Sequence, residues 1–167
     1  VNGGGGVLNA TTDSGDINLR QAVGDLTVAQ VTALAGNVKL TAQHSILASG
    51  TASVIKGNSL TLSAQRGSLG TLGSDGSADE PSGDALPIRL VAGPNRTDTL
   101  VVNAQHDIYI KAVSGDLYLN QASTPGNVRI EVVNGSLLDG NTIEARDPRT
   151  WDELKQLYDN MLATRET

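Results

Sequence analysis

"GNVKLTAQ", Gly36–Gln43, is the stretch that decides the fold, because close copies of it recur along the chain. A glycine and a polar residue come first, and apolar Val38 and Leu40 then alternate with polar residues. Such alternation predicts a short β-strand with one face buried and the other in water. Glycine supplies unusual backbone angles at a corner, and we expect an Asp or Asn after it to hydrogen-bond within its own turn.

The copies keep this order of glycine, small polar residue and alternating segment. They include "GDINLRQA" from Gly15, "GDLTVAQ" from Gly24, "GNSLTLSAQ" from Gly57, "GDLYLNQA" from Gly115, "GNVRIEVV" from Gly126 and "GSLLDG" from Gly135. Gly15, Gly36 and Gly57 are evenly spaced along the chain, which is the mark of an internal repeat. The glycines predicted to form structural turns are Gly15, Gly24, Gly36, Gly57, Gly67, Gly115, Gly126 and Gly135.

A unit of about 21 residues with two short strands and no helix cannot bury its apolar face alone. Wound into one turn of a solenoid, it stacks on its copies and completes an aliphatic core. The sequence therefore predicts an all-β fold, a parallel β-helix (solenoid), over residues 1–146. An antiparallel sandwich is the competing architecture, but it gives no reason for a fixed period.

The stretch 73–87, "GSDGSADEPSGDALP", interrupts the repeats and is predicted to be an acidic loop that leaves the stack. Val38 and Leu100, on either side of it, are separated by close to three repeat lengths, which predicts three turns between them. Hard cations such as calcium take several oxygen ligands, so the loop carboxylates are candidates for a weak site, against the alternative of a solvated loop. These candidates are Asp75, Asp79, Glu80 and Asp84.

The hydrophobic period changes near the C-terminus, where residues 147–164 are predicted to form an amphipathic α-helix. Thr150 and Glu153 have the spacing of a capping box at its start. Its apolar stripe is expected to dock the helix, either as a cap on the end of the solenoid or as a link to another domain. The docking residues are Trp151, Leu154, Leu157, Tyr158 and Met161.

The phrases "GNVKLTAQHSIL", "GDLTVAQ" and "GDIN", recurring on this regular period, resemble the repeats of filamentous-haemagglutinin-type exoproteins and of other large bacterial cell-surface repeat proteins. The resemblance covers Gly15 to about Gly140, apart from the acidic loop. It implies a right-handed parallel β-helix that is exported and serves in adhesins, surface filaments or toxin-delivery stalks. The secretion domain of two-partner exoproteins, with its Asn-Pro motif, is not in this chain, and the C-terminal segment departs from a plain repeat array.

Catalytic chemistry has few candidates in this sequence. His44 and His106 follow "AQ" in their repeats and, at the predicted three turns, are too far apart to bind one metal. Enzymes that cleave carbohydrates on β-helices need clustered carboxylates beside aromatic platforms, and the repeats contain only Tyr109 and Tyr118 as aromatic residues. We therefore predict no enzyme, no catalytic residue and no cofactor apart from calcium, with a carbohydrate-active enzyme or carbohydrate-binding fibre module as the alternative.

Charge and composition limit the classes of binding partner that the sequence allows. A net charge of −6 repels phosphate backbones, so nucleic acid is not expected as a partner. No apolar run reaches membrane-spanning length, so no transmembrane segment is expected, and the chain has no cysteine. The sequence predicts a structural or adhesive rod, extracellular or on the bacterial surface, whose partners are neighbouring repeats or domains, further copies in a filament, or a host or cell-surface ligand. An adhesin should expose an apolar or aromatic patch, for instance around Tyr109, Tyr118 and the acidic loop, whereas a spacer should not.

Overall fold

The computed structural model describes residues 6–71, 85–91, 98–141 and Lys155. Within these residues the chain forms β-strands joined by tight corners, and no peptide bond is cis. The strands are β1 (Val7–Thr12), β2 (Ile17–Gln21), β3 (Leu26–Ala33), β4 (Val38–Ala42), β5 (Ile46–Ala48), β6 (Val54–Gly57), β7 (Leu60–Ala64), β8 (Leu86–Leu90), β9 (Leu100–Ala104), β10 (Ile108–Ala112), β11 (Leu117–Ser123), β12 (Val128–Val132) and β13 (Leu137–Asp139).

The strands form two parallel sheets that the chain visits in turn. Sheet A has the order β1-β3-β6-β8-β10-β12, with β5 also paired to β3, and sheet B has the order β2-β4-β7-β9-β11-β13. Successive visits to a sheet pair in parallel with their neighbours, so each circuit of the chain adds one tier to both sheets. The result is a solenoid of about five turns with about 21 residues per turn, which confirms the predicted parallel β-solenoid.

Inward side chains stack in columns from tier to tier. In sheet B, Leu40 lies in register between Leu19 and Leu62, and Leu62 is followed by Val102. In sheet A, Ile46, Leu69 and Ile108 occupy one column through two isolated β-bridges. The fully buried residues of these columns form one continuous aliphatic cluster. The inward side chains of one tier are buried by the tiers on either side of it, so no tier has a core of its own.

The tier that begins with β7, here called the third tier, shows that the predicted number of turns between Val38 and Leu100 is wrong. Val38 pairs with Leu60, and Leu60 pairs directly with Leu100, so the interval contains two turns and not three. At the corner beside these strands, one circuit takes 40 residues from Ser59 to Thr99, compared with 22 from Asn37 to Ser59. The additional residues fall between the strands, and they include the stretches 72–84 and 92–97, which lie outside the described residues. Hydrogen bonds between neighbouring strands fix the register. The number of turns between two residues therefore cannot be obtained by dividing their separation along the chain by the repeat length.

The fold prediction is wrong in its second component, the C-terminal helix. No helical element occurs in residues 6–71, 85–91 and 98–141, and Lys155 is the one described residue of the segment 147–164. Leu137, in the last described strand of sheet B, keeps 52% of its surface exposed. An amphipathic segment of this length is marginal as a helix in water unless its apolar stripe is buried. No helix in the described part of the chain is long and apolar enough to cross a membrane.

Candidate functional site

The corner before sheet A contains a continuous ladder of polar side chains, here called the long ladder. At each tier, a side-chain oxygen accepts a hydrogen bond from the backbone N–H of the equivalent residue in the next tier. Its members are Asp25, Ser45, Ser68, Asp107 and Asn127, joined by N–H to oxygen distances of 2.8, 3.2, 3.2 and 2.8 Å. The long ladder therefore crosses every interface between the five tiers that it visits.

The opposite corner, before sheet B, contains a similar short ladder. Asp16, Asn37, Ser59 and Thr99 are joined in the same direction by distances of 2.7, 3.1 and 3.1 Å. Beyond it, the N–H of Ser136 donates to Oδ1 of Asp116 at 2.9 Å. Both ladders point the same way, with the acceptor in the earlier tier and the donor in the later one.

These ladders correct the prediction that Asp or Asn bonds within its own turn. The side chain of Asp16 accepts from Asn37, which lies 21 residues further along the chain. The glycine pattern offered no reason to single out Ser45 or Thr99, because no glycine precedes either of them. Both residues stand immediately before an apolar strand start, and this position in the period is the signal that identifies ladder members.

The glycines predicted to form turns are required for two different reasons. Gly15, Gly24 and Gly115 have positive φ values of 99, 77 and 80°, a region that other residues avoid. Gly36 and Gly126 instead lie against the backbone of the preceding tier, with no room for a Cβ atom.

The other three turn glycines differ in their surroundings. Gly67 lies against the backbone of His44 and Ser45. Gly57 is the last residue of β6 and faces the side chain of Val38. Gly135 combines a φ of 154° with close approach to Gly115. All three glycines contact residues of the preceding tier, so glycine helps to set the spacing between tiers.

The structure separates the histidines and leaves both exposed. His44 and His106 lie beside the long ladder, and their backbone N–H groups donate to the carbonyls of Gly24 and Gly67 at 3.1 Å. Ser45, Ser68 and Asp107 place them two tiers apart, about 10 Å at the usual strand spacing. No group of three or more His, Cys, Asp or Glu residues that could hold a metal occurs among the residues described here.

Two sets of predicted residues belong to parts of the chain outside the described ranges. The calcium candidates Asp75, Asp79, Glu80 and Asp84 lie outside the described residues. The helix-docking residues Trp151, Leu154, Leu157, Tyr158 and Met161 lie outside them as well. The calcium site stays a prediction, which calorimetry at millimolar calcium tests.

The two tyrosines of the repeats do not form an exposed patch. Tyr109 is 7% exposed, and Tyr118 is half-buried against the core cluster. Among the described residues, the large apolar side chains that are exposed lie at the two ends or at corners, and none of these is aromatic. They are Val7, Val23, Leu34, Val128, Val133 and Leu137.

One groove of about 450 Å³ opens where Ser49–Ser53 bulges out between β5 and β6. Its polar lining is uncharged and includes Asn9, Gln30 and Ser49. The hydroxyls of Ser49 and Ser53 are hydrogen-bonded to each other at 3.1 Å. This arrangement can hydrogen-bond a small neutral ligand, but it has neither the carboxylate pair nor the aromatic platform expected of a glycosidase.

Comparison with known proteins returned no match to a family model, a curated protein or a solved structure. The resemblance to filamentous-haemagglutinin-type repeats therefore rests on the repeat phrases and on the parallel solenoid itself.

The long ladder gives a direct prediction at Asp107. Its Oδ1 accepts from both the backbone N–H and the side-chain amide of Asn127 at 2.8 and 3.1 Å. We expect Asp107→Ala to lower the free energy of unfolding by about 1–2 kcal/mol in urea denaturation, because Asn127 loses its acceptor. Asp107→Ser should retain most of the stability, since serine supplies the acceptor at Ser45 and Ser68. The control is Asp13→Ala, an exposed carboxylate outside the ladders; equal losses in Asp13→Ala and Asp107→Ala would contradict a role for the ladder.

Proposed function

We propose that this chain is a non-catalytic, stiff segment of an exported bacterial surface or filament protein, in which it serves as a rod or spacer. The observation that carries the proposal is the register of the core columns of sheet B, which is continuous from β2 through β4 and β7 to β9. Leu60 and Leu100 remain directly paired even though the circuit between them is nearly twice as long as the one before it. Export and the surface location rest on the repeat phrases alone.

Stiffness follows from the interfaces between tiers. The interfaces are built from parallel backbone hydrogen bonds and aliphatic columns, and the corner ladders add rungs such as those from Ser45 to Ser68 and from Asn37 to Ser59. Bending the solenoid would separate tiers on one side and expose buried Leu, Ile and Val side chains to water, at a cost of about 25 cal/mol per Å². A rod needs no exposed recognition patch, and the burial of Tyr109 supports a spacer over an aromatic adhesive face.

Removing one complete tier tests the rod. Deleting residues 38–59 joins Asn37 to Leu60, which holds the column position of Val38. We expect a folded protein that is shorter by one strand spacing, about 4.8 Å. Spin labels on cysteines introduced at Asn18 and Gln121, which lie in one outward column of sheet B, report the change by pulsed electron paramagnetic resonance.

The matched control is a deletion of residues 38–48, which removes one visit to sheet B and only the first part of the visit to sheet A. It places inward residues out of register and should abolish the cooperative thermal transition. The rod proposal fails if the complete-tier deletion unfolds as readily as the control, or if the label distance does not change.

A carbohydrate-binding fibre module is the second candidate, and the groove at Ser49–Ser53 is the observation that favours it. A glycan array with the full chain distinguishes the two. A spacer predicts no binding above background. Binding that is lost in Gln30→Ala and Ser49→Ala would favour the fibre module instead.

A further inference from the structure

The two outermost strands of sheet A are β1 and β12, and each pairs with a neighbour on one side only among the described residues. Val7 of β1 and Val128 of β12 keep 48% and 50% of their surfaces exposed. The residue equivalent to Val128 one tier earlier, Ile108, is fully buried. The β12 edge therefore presents an apolar residue in a column that is buried inside the solenoid.

The β1 edge lacks the features that usually prevent strands from associating. Its sequence, "VLNATT", contains no charged residue and no proline. Soluble proteins commonly protect an exposed edge strand with lysine, proline or an inward-pointing charge. An uncharged edge with alternating residues is a template for pairing with another strand.

The registers of β1 and β12 match. Tracing the columns of sheet A through its tiers places Val7 in the column of Arg129 and Ala10 in the column of Val132. Both strands therefore span these two columns with the same number of residues. In contrast, β3 needs one extra residue, which the pairing of β1 with β3 accommodates as an irregularity after Leu8. A β1 strand can consequently lie along β12 without a bulge.

The order of the strands matches as well. Among the described residues, the first strand along the chain is β1, in sheet A, and the last is β13, in sheet B. A second copy placed after β13 would begin again in sheet A, so the alternation of sheets continues across the junction. Leu8 and Ala10 of the second copy would then cover Ile130 and Val132, which are only partly buried in one copy.

We propose that β12 of one copy pairs in parallel with β1 of a second copy, joining the solenoids head to tail. This inference rests on the proposed rod function and names the rod's partner as a further copy of this chain. A head-to-tail contact uses two different surfaces, and because each copy continues the stack of tiers along the solenoid axis, repeated contacts generate an open filament and not a ring.

Disulfide cross-linking tests the register, because the chain has no cysteine of its own. Two variants of the full chain, Val7→Cys and Arg129→Cys, are mixed in equal amounts and oxidised. Directly paired residues on adjacent strands have the Cα separation that a disulfide requires. We expect a species of twice the 17.3 kDa chain mass on a non-reducing gel, formed in the mixture and lost on reduction.

Three controls test whether the cross-link is specific to β1 paired with β12. Each variant oxidised alone should migrate at the mass of one chain on the non-reducing gel, and so should Val7→Cys mixed with Lys39→Cys, since Lys39 is exposed on β4, an inner strand of sheet B. Dimers from Val7→Cys alone would indicate pairing of β1 with β1 and overturn the proposal. Equal cross-linking in all mixtures, or in none, would overturn it too. The tier deletion is independent of this result, so the rod function can stand when the head-to-tail contact fails.

Discussion

Leu62→Asp is expected to unfold several tiers of the solenoid together. Leu62 is fully buried in β7 and lies between Leu40 and Val102 in a core column. Removing a buried leucine side chain costs about 2–5 kcal/mol, and placing an unpaired carboxylate in the cavity adds several kcal/mol. Since a domain has about 5–15 kcal/mol of stability in total, the loss is large enough to abolish the thermal transition seen by circular dichroism.

The matched control is Thr61→Asp, which places the same carboxylate on the outward face one residue earlier. Thr61 is paired with Lys39, so the new charge lies in water beside a cation. Its effect on the melting temperature should be small, in keeping with about 0–1 kcal/mol for an exposed ion pair. A Leu62→Asp protein that melted like Thr61→Asp would rule out a core column at this position. The equivalent change Leu40→Asp should act as Leu62→Asp does.

Gly36→Ala is expected to be the most damaging of the conservative substitutions. A Cβ atom at Gly36 would overlap the carbonyl group of Gly15 in the preceding tier. The overlapping group is backbone that belongs to a corner, so it cannot rotate away as a side chain could. Relief requires the two tiers to separate, and we expect a loss of about 3 kcal/mol in urea denaturation.

Two other glycines provide a graded comparison for Gly36→Ala. Gly24→Ala meets open space but must adopt a φ of 77°, which costs about 1–2 kcal/mol. Gly6→Ala meets neither constraint and should be neutral within about 0.5 kcal/mol. If Gly36→Ala proved no worse than Gly24→Ala, steric contact between tiers would not be what selects glycine at this corner.

The repeating part of the fold could be predicted from sequence because its signals are local. Alternation at Val38 and Leu40 identifies the inward face of a strand, and the regular interval between glycines identifies the next tier. Stacked copies then follow from the need to bury that face. The strands that follow a repeat glycine were predicted by this route: β2, β4, β7, β11 and β13 of sheet B, and β3 and β12 of sheet A.

The failures concern information that is not local. Residue counting placed three turns between Val38 and Leu100, because a count cannot tell strand residues from residues that leave the stack. The partner of Asp16 is 21 residues away, and turn propensity describes only its immediate neighbours. The apolar stripe that includes Trp151 and Leu154 predicted a helix. A helical pattern in the sequence does not by itself supply a surface against which the stripe is buried.

The third tier has a consequence for how such proteins diversify. Its circuit is nearly twice as long as its neighbour's, yet its strands remain in register with those above and below. Length and inserted residues are thus separate properties of the molecule: the number of tiers sets the length of the solenoid, and residues added between strands do not change it. A loop can be inserted at Gly70 or Val91 without altering the length of the solenoid.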